Sequence, residues 1–425
     1  MTAPTPHDPA ASSIVELLAR LVRIPSRGGI DANLPVLECI EQWFDANAHD
    51  VPRTRIVSAD GAPLGLYAEV AGSAASASAN TTARAEATRP YYVLNATLDT
   101  AGFGDPQHWT HAPLSAHRAD GWLYGRGAAD SKAGVALFAH LLAALAQRRG
   151  EYAGRLGALF DLDEHTGRFG GARAFFDSTD NNRLPHAEAS APRPDGVFIG
   201  YPGCERVMVG ARGFLRARLV VHGIAAHSGG SSTRGLNAAI RGAALAHALN
   251  DLALPAVDDA TFNRPSQLTV TGIHAGDGGF TAVPDRCELT LDIRLTPHLD
   301  AAHAQRLIEG AIRAHDVGYT RSPANNLLTD IEWIAGWPAY RVPDAHPMVS
   351  VLCAAARHEL GSEPMRDVAG PSNIGNYLAS LGVPALCGFG PRGEGIHASN
   401  ERVELASIAP VYRIYERTLL QLLRG

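Results

Sequence analysis

"LGALFDLDEHTG", residues 156–167, is a short apolar run that ends in three titratable side chains and a turn. A run of this length, closed by acids and a glycine, reads as a buried strand whose carboxyl end opens into a loop. In an α/β sheet that end is where ligands bind. Asp163, Glu164 and His165 therefore need partners. A solvated turn is the plain alternative, and the rest of the chain has to decide between the two.

Working outward, similar apolar runs occur at 91–98, 196–200 and 383–389, and helical stretches alternate with them. In the first helix Ser12 or Ser13 serves as cap, and Ile14, Leu17, Leu18, Leu21 and Val22 share one stripe before Ile24-Pro25 ends it. Another helix starts at Ala133. This rhythm predicts an α/β sandwich with a mostly parallel sheet. The stretch 72–90 is small and polar without apolar period, and reads as a surface excursion.

From about residue 211 the pattern becomes strict alternation. Cys287, Leu289, Leu291, Ile293 and Leu295 share one face of a strand, and Glu288, Thr290, Asp292 and Arg294 the other. Strands at 214–221, 267–273 and 327–334 and helices at 237–252 and 301–315 complete a βαββαβ, ferredoxin-like unit inserted into the first domain. After Trp337 the α/β pattern resumes, with helices near 348–360 and 373–381. The expected domains are 1–210, an insertion at 211–336, and the return of the first domain over 337–425.

With 425 residues the chain exceeds one compact core, which agrees with two domains. Hydrophobic residues make up 46%, charged residues 19%, and the net charge is −6, so there is no electrostatic footprint for nucleic acid or anionic membrane. The 5 cysteines are far apart and form no C-x-x-C pair, which reads as reduced core thiols. The first residues lack the basic and apolar regions of a signal peptide, and the apolar stretch 133–146 is too short to span a bilayer. The expected compartment is the cytoplasm.

The ordered blocks "TLDT" (97–100), "GRGAADSKAG" (125–134), "LDEHTG" (162–167), "GYPG" (200–203), "GIAAHSGGSSTRGLNAA" (223–239), "AVPD" (282–285), "DIR" (292–294) and "GPRGEGIHASNE" (390–401) run over almost the whole chain. In that order they resemble the M20 family of metallopeptidases and deacylases. The resemblance implies a catalytic α/β domain, a lid and dimerisation role for the insertion, and a pair of divalent metals. It places the shared Asp ligand on Asp130, the general base on Glu164 and a late His ligand on His397. It also places three changes: the His of H-x-D falls on Thr97, leaving Asp99; the second acid of the Glu-Glu pair falls on His165; and the acid of G-E-P falls on Tyr201.

Thr97 and Tyr201 stand where ligands of the same metal are expected, so that site keeps only Asp130. The other keeps Asp130, His165 and His397, a set suited to one divalent transition metal per subunit, zinc, manganese, iron or cobalt. With fewer anionic ligands, exchange among several ions is expected. A loop histidine bonded to backbone is the alternative for His165. Asp99 is expected to act one step behind the ligands. The resemblance further implies that His227 crosses to a partner subunit as an oxyanion donor and that Arg294 grips a substrate carboxylate. A surface ion pair with Asp292 or Glu288 is the alternative for Arg294, and a solvated cation for Arg234, a second candidate anion contact.

A less charged, partly aromatic pocket lined by Thr97 and Tyr201 suits a flat aromatic acid. The sharpest expectation is therefore an aminohydrolase that removes ammonia from an electron-poor aromatic amino acid of the 5-nitroanthranilate type, a reaction of aromatic compound degradation. The alternatives are an N-acyl amino acid amidase or dipeptidase, and an inactive binding protein. A small-molecule carboxylate substrate and a homodimer or larger homo-oligomer, formed through the lid domain, are the expected partners.

Overall fold

The computed structural model describes residues 9–74, 89–177, 193–230, 235–256, 261–319 and 327–424. Most of the expected excursion 72–90 lies outside them. The chain divides into two compact units, one of 1–209, 342–367 and 381–425, the other of 210–341 and 368–380. Residues 368–380, expected to belong to the returning α/β domain, group with the second unit.

The first unit is built on a six-stranded sheet in the order Arg53–Val57, Pro63–Ala71, Arg155–Asp161, Tyr91–Thr97, Gly196–Ile199, Ala385–Leu386. The first two strands join antiparallel at one edge, while the last four run parallel. Every residue of Tyr91–Thr97 is buried, as expected of a parallel strand covered on both faces. The last strand is shorter than the expected 383–389.

The helix Ala133–Ala146 is buried almost all round. The helix Pro9–Val22 packs against it. That first helix begins earlier than Ser12 because Pro9, whose fixed φ suits a first helical turn, starts it. Its stripe of Ile14, Leu17, Leu18, Leu21 and Val22 is buried, and each such side chain contributes about 1.5–3 kcal/mol by leaving water. Counted with the five residues before it, the core helix becomes one stretch, Ala128–Ala146, long and apolar enough to cross a membrane, contrary to the expectation from 133–146 alone. Its apolar window is 83% buried inside the protein, which is the packing of a core helix.

In the second unit a four-stranded antiparallel sheet runs Gln267–Ala275, Arg286–Leu295, Gly213–His222, Asp330–Trp337. The helices Ala238–Asn250 and Ala301–Asp316 complete the βαββαβ order. The expected alternation holds in Arg286–Leu295, where Cys287, Leu289, Leu291, Ile293 and Leu295 are buried with Leu219, Leu245 and Ile308. The last strand lies three residues later than 327–334, at Asp330–Trp337.

Candidate metal centre

Three neighbouring parallel strands of the first unit end at the same level, with Thr97 beside Asp161 and Asn95 beside Ile199. The residues that follow them carry the chemistry. Asp99 comes after Tyr91–Thr97, Glu164 and His165 after Arg155–Asp161, and Tyr201 after Gly196–Ile199. Asp130 enters from the turn that precedes helix Ala133–Ala146, tied to the strand end by a hydrogen bond from the Thr97 amide to the Ser131 hydroxyl at 3.1 Å. Gly134 allows this approach, since a Cβ on it would fall 2.4 Å from the Gly200 carbonyl oxygen. His397 comes from the loop before Arg402–Glu404 and holds a φ of +61°, a conformation an L-residue adopts at a cost.

Asp130, His165 and His397 each offer a ligand atom, and the three atoms lie within 4.8 Å of one another. Asp130 Oδ2 is 3.0 Å from His397 Nε2 and 3.5 Å from His165 Nε2. Separations near these are what two ligands about 2.0–2.2 Å from a common ion would show. His165 is also 3.2 Å from Glu164 Oε2 and 3.7 Å from Asp99 Oδ2 through Nδ1. Yet both its ring nitrogens, and Asp130 Oδ1, are buried without a properly aligned hydrogen bond. Buried groups of this kind require a partner, and a divalent cation fits this donor set.

The surrounding carboxylates make this pocket electronegative. Burial works against a charged His165, but Asp130, Asp99 and Glu164 outweigh it and push its pKa up to about 11. Burial alone would raise the carboxyl of Asp130, whereas His165 and His397 hold it well below the usual carboxylate range. Glu164 is pushed up, first by burial and then by Asp130 and Asp99. A carboxylate raised in this way and set beside the ligands is a suitable general base.

Comparison with known proteins now bears on this geometry. Residues 93–421 match the model of peptidase family M20/M25/M40. The chain belongs to this family. It is accordingly a metal-dependent hydrolase acting on C–N bonds. Among its relatives, the succinyl-diaminopimelate desuccinylase of Paracoccus denitrificans is 28% identical over 77% of this chain and 81% of its own. A tripeptidase from Staphylococcus aureus has the same fold, with a TM-score of 0.70 at 18% identity over 98% of this chain and 99% of its own. A dinuclear metal-binding peptidase of family M20 from Bacillus subtilis superposes with a TM-score of 0.66 at 15% identity, over 98% of this chain and 99% of its own.

Against that family pattern, the structure gives Thr97 and Tyr201 definite partners. The Thr97 hydroxyl donates to Asp99 Oδ1, and the Tyr201 hydroxyl donates to Glu164 Oε1 at 2.6 Å. Asp99 is fully buried and accepts the backbone amides of Glu164 and His165 at 3.2 and 3.0 Å. It thus holds the loop that carries Glu164 and His165. His227 and Arg294 belong to the second unit of this M20 chain. His227 is exposed, its Nδ1 accepting the Gly229 amide at 3.1 Å. Arg294 makes the ion pair with Asp292 named as its alternative, at 2.7 Å. Arg234 lies outside the described residues.

Several supporting residues escaped the sequence reading. Glu401, fully buried, accepts the amides of Ala129 and Asp130 and pairs with Arg126, whose Nη2 also donates to the His397 carbonyl. Only its place four residues after His397 hinted at it. Gly28 leaves no room for a side chain, because a Cβ there would be 2.7 Å from Asp99 Oδ2 and 3.3 Å from His165 Cβ. Asp161, under the loop, accepts from Asn95 at 2.9 Å and is raised far above its ordinary pKa, first by burial and then by Asp99.

Proposed function

We propose that this M20 protein hydrolyses the amide bond of an N-acyl amino acid or short peptide that carries a free carboxylate, using one divalent transition cation (manganese, zinc, iron or cobalt) per chain. The observation that carries the reading is the meeting of Asp130, His165 and His397 within 4.8 Å, with Glu164 against them. A cation held by those three would polarise an amide carbonyl and acidify a water molecule. Glu164 takes one proton from the attacking water as its oxygen bonds to the carbonyl carbon. The same carboxyl then gives the proton to the nitrogen as the C–N bond breaks.

The relatives favour this over attack on an aromatic ring carbon, since the names of those described are a desuccinylase, a tripeptidase and a peptidase. The aromatic side chain of Tyr201 beside Glu164 is what supports the ring-deamination reading. An inactive binding protein has no use for a buried base beside three ligand atoms. Arg294 is assigned to the substrate carboxylate and His227 to the oxyanion of a partner copy, with dimerisation through the second unit. The edge strands Gln267–Ala275 and Asp330–Trp337 of its sheet support such pairing. The buried free cysteines suit a reducing cytoplasm.

The test is a panel of N-succinyl and N-acetyl amino acids, dipeptides and nitro-substituted aminobenzoates, assayed with each of the four metals. Amine release from the acylated substrates or peptides supports the reading. Ammonia release confined to the aminobenzoates replaces it with deamination, and turnover that survives complete chelation refutes the metal.

A further inference from the structure

Resting on the one-cation reading above, the two hydroxyls that replace metal ligands form a built arrangement. Tyr201 Oη is 2.6 Å from Glu164 Oε1, and the Thr97 hydroxyl donates to Asp99 Oδ1 while also lying 3.3 Å from the Asp161 carbonyl oxygen. Asp99 also accepts the amides of Glu164 and His165. The two carboxylates next to the ligand cluster are therefore each held by a hydroxyl donor. A second cation at this place would have to displace the phenol from Glu164 and compete with the donors already on Asp99. The side chains do not fit a dinuclear centre, and they compensate for its loss with hydrogen bonds.

We propose that Tyr201 is a positioning residue for the base, and that with Thr97 it replaces the second cation of dinuclear relatives. The phenol fixes the carboxylate plane of Glu164. With Oε1 committed to the phenol, Oε2 is the oxygen that takes the proton from water and later passes it to the leaving nitrogen. No proton is lost from the phenol in the cycle; its O–H remains the donor to Oε1 throughout. A hydrogen bond to a charged acceptor is short and strong, and it gives a buried carboxylate one orientation at no cost in ions.

The experiment combines Mn(II) titration, with free ion read by electron paramagnetic resonance, and steady-state kinetics on the acylated amino acid turned over best in the panel above. Wild type and Tyr201→Phe are expected to bind one ion per chain. The variant loses about 10- to 100-fold in kcat, the range for a group that orients an active-site residue, with KM within about twofold and an unchanged melting temperature. The double variant Thr97→His/Tyr201→Glu, which restores two ligand types, is expected to bind two ions. A Tyr201→Phe kcat within threefold of wild type overturns the positioning role. A folded double variant that still binds one ion overturns the replacement role. Two ions on wild type would instead refute the one-cation reading beneath both.

Discussion

Glu401 Oε1 accepts the backbone amide of Asp130 at 3.0 Å from a position 271 residues further along the chain. The same carboxylate accepts the Ala129 amide and pairs with Arg126 at 2.7 Å, both side chains being 1% exposed. Removing one partner of a buried pair leaves the other charge uncompensated, at about 3–5 kcal/mol. Glu401→Ala is expected to lose that much stability in urea denaturation and to weaken Mn(II) binding about 10- to 100-fold. Glu401→Gln, which keeps an acceptor for the amides, is expected to fall between it and wild type.

Asp99 joins the ends of two strands, taking the Glu164 and His165 amides and the Thr97 hydroxyl. Asp99→Ala frees the loop without removing a ligand. Metal affinity is expected to fall about 10- to 100-fold, with kcat falling alongside it. Isothermal titration with Mn(II) checks this, and unchanged affinity would show the loop to be held by other means.

Gly28 tests the closeness of the same loop. A methyl group at Gly28 would meet Asp99 Oδ2 at 2.7 Å. Gly28→Ala is expected to cost about 1–3 kcal/mol of stability from overpacking and to lower kcat, whereas Gly61→Ala, where nothing lies within 4 Å but φ is +84°, strains only the local turn.

His140 sets a pH dependence away from the metal centre. It is buried in the core helix, with Nδ1 2.7 Å from the Ala136 carbonyl and Nε2 2.8 Å from the Ser13 hydroxyl. Burial lowers its pKa to about 4. Between that value and the ordinary one near 6.5, the unfolded chain binds the proton and the native one does not. Stability is therefore complete above about pH 6.5 and is lost as pH falls towards 4, by roughly 3 kcal/mol in all. His140→Gln is expected to flatten the urea midpoint across that window, and a parallel decline in wild type and variant would assign the effect to other groups.

The residues that meet at the candidate site could be picked out from sequence because Asp130, Glu164, His165 and His397 sit in short ordered motifs at the ends of recognisable strands. What surrounds them could not. Glu401 and Gly28 act through contacts with residues far away in the chain, and nothing in their neighbours' composition marks them as buried. The limits of local pattern also explain the errors in the fold. Helix periodicity near 373–381 does not say which sheet it joins. That is decided by Asn376, whose amide donates to the Arg212 and Pro338 carbonyls of the second unit. The strand Ala385–Leu386 pairs with Val197 and Phe198, and the residues after it turn to another partner, Cys387 donating to the Met208 carbonyl and Gly388 accepting the Met208 amide, so the apolar run outlasts this pairing.

Anomalous diffraction from a manganese-loaded crystal tests the central claim most directly. The expected result is one peak per chain, within about 2.0–2.3 Å of Asp130, His165 and His397 ligand atoms. A peak elsewhere, or a second one between Asp130 and the positions of Thr97 and Tyr201, would contradict it.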